Sequence, residues 1–319
     1  MELGKEQLLH LYRTMLRIRR FEEKVSQLFA EGAIPGFLHL YLGQEAIAAG
    51  VCAHLRNDDY ITSTHRGHGH CIAKGADVGR MFAELLGKRT GYCKGKGGSM
   101  HVADVERGIL GANGIVGAGL PIAAGAALTA KIRGTDQIAV AFFGEGAAGT
   151  GYFHEAVNMA AVLGLPVIFV CESNQYAEFT PRSKHLPVET IAERATAYGI
   201  KGETVNGSDV LDVYTVLNRV AETVRRERRP ALIEIFTHRW SGHYEGDPQR
   251  YRPEGEAERW KAEDPIAAFG AKITAAHPVT PEDIEGIRLA VEQEMEAAIQ
   301  FAQDSPLPQA EELLLDVYA

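Results

Sequence analysis

Two stretches decide the fold: IAVAFF at residues 138–143, followed at once by Gly144-Glu145-Gly146, and PVIFVC at 166–171, followed by Glu172-Ser173-Asn174-Gln175-Tyr176. Both are short, continuous apolar runs of the kind that form strands buried on both faces, and residues 152–163 between them carry a helical pattern. Together they predict a βαβ unit with parallel strands. Further apolar runs at 199–205 and 231–237 (ALIEIFT), with helical segments between, extend the alternation to an α/β fold: a doubly wound, mainly parallel sheet with flanking helices. Such sheets bind ligands beyond the carboxyl ends of their strands, so Glu145 and Asn174 are expected to face one point there.

Outward from this unit, residues 5–31 repeat apolar side chains at Leu11, Met15, Ile18, Val25 and Leu28. They read as an amphipathic helix ended by Gly32, with Arg13, Arg17, Arg19 and Arg20 on a solvated face. Residues 36–119 are rich in Gly and His, and GAGLPIAAGAALTA at 117–130 reads as a buried helix whose small residues allow close packing. After the polar loop HRWSGHYEGDPQRYRPEGE at 238–256, Thr280-Pro281-Glu282-Asp283 opens a helix with an N-cap, an N1 proline and acidic first-turn residues. That helix is expected to dock on the sheet. No linker divides the chain, so residues 1–319 are read as one domain.

The composition, 45% hydrophobic and 24% charged, is that of a globular protein and excludes disordered and fibrous classes. A net charge of -9 argues against nucleic acid and anionic membrane surfaces as partners. Cys52, Cys71, Cys93 and Cys171 are scattered without paired spacing, which suggests neither disulfides nor a cysteine zinc site and fits a reducing cytoplasm. Neither a signal peptide nor a membrane span is legible.

A carboxylate, an amide oxygen and a backbone carbonyl at the strand ends are hard oxygen donors suited to Mg²⁺. Gly144 and Gly146 permit tight turns, and the helix starting near Gly151 would offer free N–H groups to an anion. Taken alone, a glycine pair after a strand is equally well a structural turn. The spacing to Asn174 resembles the thiamine diphosphate motif, in which a GDG is followed some thirty residues later by an Asn-containing turn.

The resemblance runs through nearly the whole chain, in GFLHLYLGQEA (36–46), STHRGHGH (63–70), KGKGGSMH (94–101), the long segment from 142 through 181, SGHYEGDPQRYR (241–252) and the tail PQAEELLLDVYA (308–319). In this respect the chain is similar to the α subunits of heterotetrameric 2-oxo acid and acetoin dehydrogenase E1 components. The resemblance implies the diphosphate-binding half of a thiamine diphosphate fold. Glu145, Asn174 and the main-chain oxygen of Tyr176 match Mg²⁺ ligands, and Gly146 and Ala147 match backbone that contacts the diphosphate. Arg66, preceded by His65 where many relatives carry tyrosine, matches a diphosphate-binding arginine, a role that suits its fork of donors. Gly114 and Val116 match backbone that grips the aminopyrimidine, and His39 and His243 match active-site histidines, with His243 near the diphosphate. The chain departs from the pattern at Glu145, where many members have Asp, at Ser173, which replaces an Asn, and at Tyr244, where animal pyruvate enzymes carry a regulatory serine.

The same resemblance implies that a separate β subunit brings the carboxylate that activates the cofactor, in an α₂β₂ assembly, and that a lipoyl-bearing E2 acyltransferase accepts the acyl group. Acetoin is the expected substrate, on the likeness of AEFTPRSKHLP (177–187) and of the loop GHYEGDPQRYR (242–252); pyruvate and branched 2-oxo acids are the alternatives. Two readings of other classes are a zinc-dependent hydrolase using the run His65, His68, His70, and a catalytically silent scaffold paralogue motivated by Glu145 and Ser173. The spacing of the run does not place two ligands on one helix face.

Overall fold

The computed structural model describes residues 3–316, so the last three residues of the quoted tail, 317–319, lie outside it. The strands are β1 (Tyr60–Thr62), β2 (Ala139–Gly144), β3 (Val167–Ser173), β4 (Tyr176–Ala177), β5 (Thr180–Pro181), β6 (Lys201–Asn206) and β7 (Ala231–Phe236). Five of them form a parallel sheet in the order β1-β2-β3-β7-β6, and β4 and β5 make a small antiparallel pair just past β3. The expected βαβ unit is present, with the helix Gly151–Leu163 crossing from β2 to β3.

The period of two along each strand sorts its side chains between two cores. Val140, Phe142, Ile168 and Val170 pack on one face with residues of the helices Lys5–Ala30, Glu45–Cys52 and Val210–Glu227. Ala141, Phe143, Val167 and Phe169 pack on the other with residues of Gly119–Arg133 and Gly151–Leu163. Burial on both faces is why the strands read as unbroken apolar runs.

The helix Lys5–Ala30 buries Leu11, Met15, Ile18, Val25 and Leu28 as the spacing predicts, and the chain turns at Gly32 with φ +77°. Arg13 is exposed as expected, but two of the helix's arginines correct the sequence reading. Arg19 is buried, with Nε 2.6 Å from Glu45 and its fork on both oxygens of Asp264, and Arg17 forms a bidentate pair with Glu294. These carboxylates are remote in sequence, so only folding brings them to the helix. The small-residue helix, observed as Gly119–Arg133, is buried on one face only: Ala123, Ala124 and Ala127 are covered, whereas Ile122 and Ile132 stand in solvent.

The carboxyl-terminal helix Pro281–Asp304 has the expected cap, with Thr280 Oγ1 accepting from Asp283 N and the Asp283 carboxylate accepting from Thr280 N. It packs chiefly on the helices Val78–Leu85 and Lys5–Ala30 rather than on the sheet, whose near face is covered by Val210–Glu227. No helix among the described residues is long and apolar enough to cross a membrane. All four cysteines are free, three of them buried.

Candidate active site

The register of β2 on β3 pairs Gly144 with Glu172, so the two strands end side by side and release Glu145 and Asn174 into the same cavity of about 360 Å³. All eleven residues singled out from the sequence line it: His39, His65, Arg66, Gly114, Val116, Glu145, Gly146, Ala147, Asn174, Tyr176 and His243. They arrive from six separate segments of the chain. The wall after β2 is a 3-10 turn, Glu145–Gly149, and the helix opening at Gly151 stands behind it, so the turn rather than the first turn of that helix faces the cavity. Gly146 has Ala177 pressed against it, since an added Cβ would lie 3.0 Å from the Ala177 methyl.

Glu145 is fully buried. Its Oε2 accepts from the backbone N–H of Asn174 at 3.2 Å, while Oε1 has no hydrogen-bond partner. Burial pushes the carboxyl up to about 7, because the water lost by the charged form is only partly offset by backbone hydrogen bonds and by Arg239 and Arg182, neither of which pairs with it. Asn174 is held by Gln44, whose Oε1 accepts from Asn174 Nδ2 at 3.0 Å, and its own Oδ1 accepts from Tyr176 N at 3.3 Å. A buried carboxylate oxygen with nothing to bind, beside an amide oxygen, fits a hard divalent cation. Ser173 faces away: its hydroxyl accepts from Arg182 Nε at 3.1 Å, so the departure from Asn there removes no oxygen from the cavity.

Opposite lies a cationic wall. Arg66 is buried and donates to the carbonyls of Leu40 and His243; Arg239, equally buried, donates to the Glu178 carbonyl and the Tyr251 hydroxyl. Neither has a carboxylate partner among the described residues. Burial, with Arg239 nearby, lowers Arg66 to about 9, and burial lowers Arg239 too. Two buried guanidiniums facing a cavity without counter-ions suit an anionic group such as a diphosphate.

His39 and His243 are brought together because the loop after β7 zips onto the segment before the helix Glu45–Cys52, Trp240 N donating to Leu42 O and Glu245 N to Leu38 O. The Asp247 carboxylate fixes the loop, accepting from His243 N and the Tyr251 hydroxyl, both at 2.7 Å. His65 completes the group, and one ring nitrogen from each of the three histidines lies within 4.8 Å of the others. Burial first, then Arg66, lowers all three: His39 to about 3, His243 to about 4, His65 also well down. They are neutral at pH 7.

The run of histidines in STHRGHGH is divided by its fold. His68 Nδ1 meets Glu22 at 3.1 Å and its Nε2 meets Ser99, while His70 sits between Ser63 and Glu172. Neither reaches His65. Among the lining residues that the sequence reading did not single out are Gln44, Glu172 and Arg239. Each lay inside a segment already quoted, two to five residues from a chosen position, but no local pattern separates an arginine or glutamine aimed inward from one in solvent.

A model of the family described as Dehydrogenase E1 component matches residues 13–311. The chain belongs to this family. Among relatives of the E1 component family, the α subunit of acetoin:2,6-dichlorophenolindophenol oxidoreductase of Bacillus subtilis is 50% identical over 319 residues, covering 100% of this chain and 95% of the relative. Its counterpart in Cupriavidus necator is 47% identical over 317 residues, 99% of this chain and 95% of the relative. The pyruvate dehydrogenase E1 component α subunit of Rickettsia bellii is 38% identical over 314 residues, 98% of this chain and 96% of the relative. The chain is thus an E1 α subunit, and the reading as a zinc hydrolase falls.

Proposed function

We propose that the chain is the α subunit of a thiamine diphosphate-dependent E1 component that cleaves acetoin and, through a lipoyl-bearing E2 partner, passes on the acyl group. The observation that carries the choice of acetoin is the step in identity, from 50% and 47% with the two acetoin enzymes to 38% with the pyruvate enzyme, each across almost the full chain. Thiamine diphosphate, when bound, supplies a carbon nucleophile for the substrate carbonyl.

This chain's own residues prepare the place. Glu145, Asn174 and the Tyr176 carbonyl would hold Mg²⁺, and the unpartnered Glu145 Oε1 supports that assignment. Gly146 and Ala147 would lie against the diphosphate, where Gly146 keeps the backbone accessible; Arg66, next to His65, would neutralise it, and we add Arg239 to that role. Gly114 and Val116, on the loop before Gly119–Arg133, would support the aminopyrimidine. His39 and His243, neutral at pH 7, would orient the substrate and exchange a proton through a ring nitrogen. Ile115 and Val116 line the cavity yet stand exposed, an apolar rim that suits cover by a β subunit in an α₂β₂ assembly.

The test is reduction of an artificial electron acceptor by the chain co-purified with its β subunit, given Mg²⁺, thiamine diphosphate and, in turn, acetoin, pyruvate and branched 2-oxo acids. The highest kcat/KM is expected with acetoin. A higher value with an oxo acid would replace acetoin cleavage by decarboxylation, and no turnover with any of them would support the silent paralogue.

A further inference from the structure

The three histidines at the mouth of the cavity form a cluster that the E1 reading uses only in part. His39, His65 and His243 come from three different segments, yet their rings meet pairwise, with centroids 4.6, 5.1 and 5.3 Å apart and all three pairs edge-on. One nitrogen of each lies within 4.8 Å of the other two. His39 is nearly buried, and its Nδ1 has no hydrogen-bond partner. Three neutral imidazoles with one nitrogen each within 4.8 Å of the others, and an unpartnered His39 Nδ1 among them, offer the donor types of an open tetrahedral zinc site.

We propose that His39, His65 and His243 bind a divalent transition cation of the zinc class, with the fourth position taken by an anion that Arg66 and Arg239 hold. Zinc–nitrogen bonds of about 2.0–2.1 Å require the three nitrogens to draw in to about 3.3 Å of one another on binding. Burial keeps the rings unprotonated near pH 7, so no proton competes for them. The arginines oppose a bare cation. Arg239 Nη1 stands 3.5 Å from His243 Nδ1, and Arg66 donates to the His243 carbonyl. The same two donors favour a cation that arrives with an anion, because the anion then lies between unlike charges. The site is distinct from the Mg²⁺ position: Glu145 and Asn174 offer hard oxygen, whereas the cluster offers only imidazole nitrogen, which prefers zinc, cobalt or copper. Its consequence for turnover rests on the proposed E1 function, since the ion would occupy the histidines that serve the substrate and thereby inhibit.

Binding is tested first without turnover. The purified protein, freed of Mg²⁺ and cofactor by dialysis against chelator, is titrated with Co²⁺ and with Zn²⁺, with and without inorganic phosphate. One equivalent of four-coordinate Co²⁺, with its intense visible bands, is expected, displaced by Zn²⁺ and bound more tightly with phosphate present. His65→Phe should weaken Zn²⁺ binding at least about a hundredfold, and His39→Gln, judged folded by circular dichroism, should do the same. Glu145→Gln should leave the cobalt spectrum intact. Octahedral cobalt, a spectrum unchanged by His65→Phe, or its loss in Glu145→Gln would each overturn the site. Inhibition of acceptor reduction by Zn²⁺ in excess Mg²⁺ is measured separately on the assembly with the β subunit: if metal binds as described but no substrate is turned over, the proposed activity fails and the metal site stands.

Discussion

On the strand side of the cavity, Glu145, Glu172 and Asn174 are 0%, 4% and 8% exposed, and each leaves the end of a strand whose neighbours are fixed by register. On the loop side, Ile115 and Val116 stand 64% and 51% exposed on a turn held by little more than Ile115 N on Asn113 Oδ1 and Ala118 N on Ile115 O. The strand wall is finished: its groups are held by hydrogen bonds such as those from Tyr41 and His70 to Glu172 and between Asn174 and Gln44, and Glu145 Oε1 and Gln44 Nε2 are left free for a ligand. The loop wall is unfinished, since apolar side chains in water are stable neighbours only for another surface. A site can thus be preorganised by sheet geometry on one side and left for a partner to complete on the other.

The largest effect that would sharpen this contrast is in Glu145→Gln. Turnover with Mg²⁺ and thiamine diphosphate should fall on the order of a hundredfold or more. The apo chain should nevertheless gain about 1 kcal/mol in urea denaturation at pH 7, because an uncompensated buried carboxylate is removed. A variant that loses stability would show that the strand wall needs the charge for its own sake.

Next in size is His243→Ala, expected to lower acceptor reduction by about a hundredfold, while Mg²⁺-dependent cofactor binding, read by fluorescence titration, changes much less. Equal losses in both would move His243 from the substrate to the cofactor.

The loop wall is probed by Ile115→Asp. The urea midpoint should correspond to a change within about 0.5 kcal/mol, whereas association with the β subunit, followed by sedimentation, should weaken about tenfold. Unfolding of the free chain would break the comparison, since the loop would then be part of the core.

The smallest effect is in the pH dependence. His39 and His243 titrate in the folded chain near 3 and 4, below the ordinary value near 6.5. Between pH 6.5 and 4 the unfolded chain therefore binds protons that the folded one refuses, and stability falls as the pH drops through that window. Glu145, raised to about 7, acts oppositely, since between 7 and 4.5 the folded chain takes up a proton before the unfolded one. Glu145→Gln should lose about 1 kcal/mol more than the parent on going from pH 7 to 5.5, measured as urea midpoints at the two values.

Much of this was legible in the sequence, and unevenly. The βαβ unit and the pairing of Glu145 with Asn174 were readable because buried strands announce themselves as short apolar runs and a parallel register places their ends together. The cap at Thr280 was readable for the same local reason, but the surface on which its helix packs was not, because an apolar stripe does not name its partner. Arg19 shows the limit well: on a helical wheel it joins the other arginines, and only Glu45 and Asp264, brought from elsewhere, make it a buried ion pair.

The sequence by itself determined the strands, the helices, the turn that carries Glu145 and the family to which the chain belongs, since each is written in residues close along the chain or in the order of its motifs. Only the tertiary structure decided that His65 parts from His68 and His70 to join His39 and His243, and that Arg239 and Gln44 turn into the cavity. The physical reason is range: periodicity and turn chemistry act over a few residues, whereas the convergence of side chains from positions 39, 65 and 243 is set by how distant segments pack, which no local pattern records.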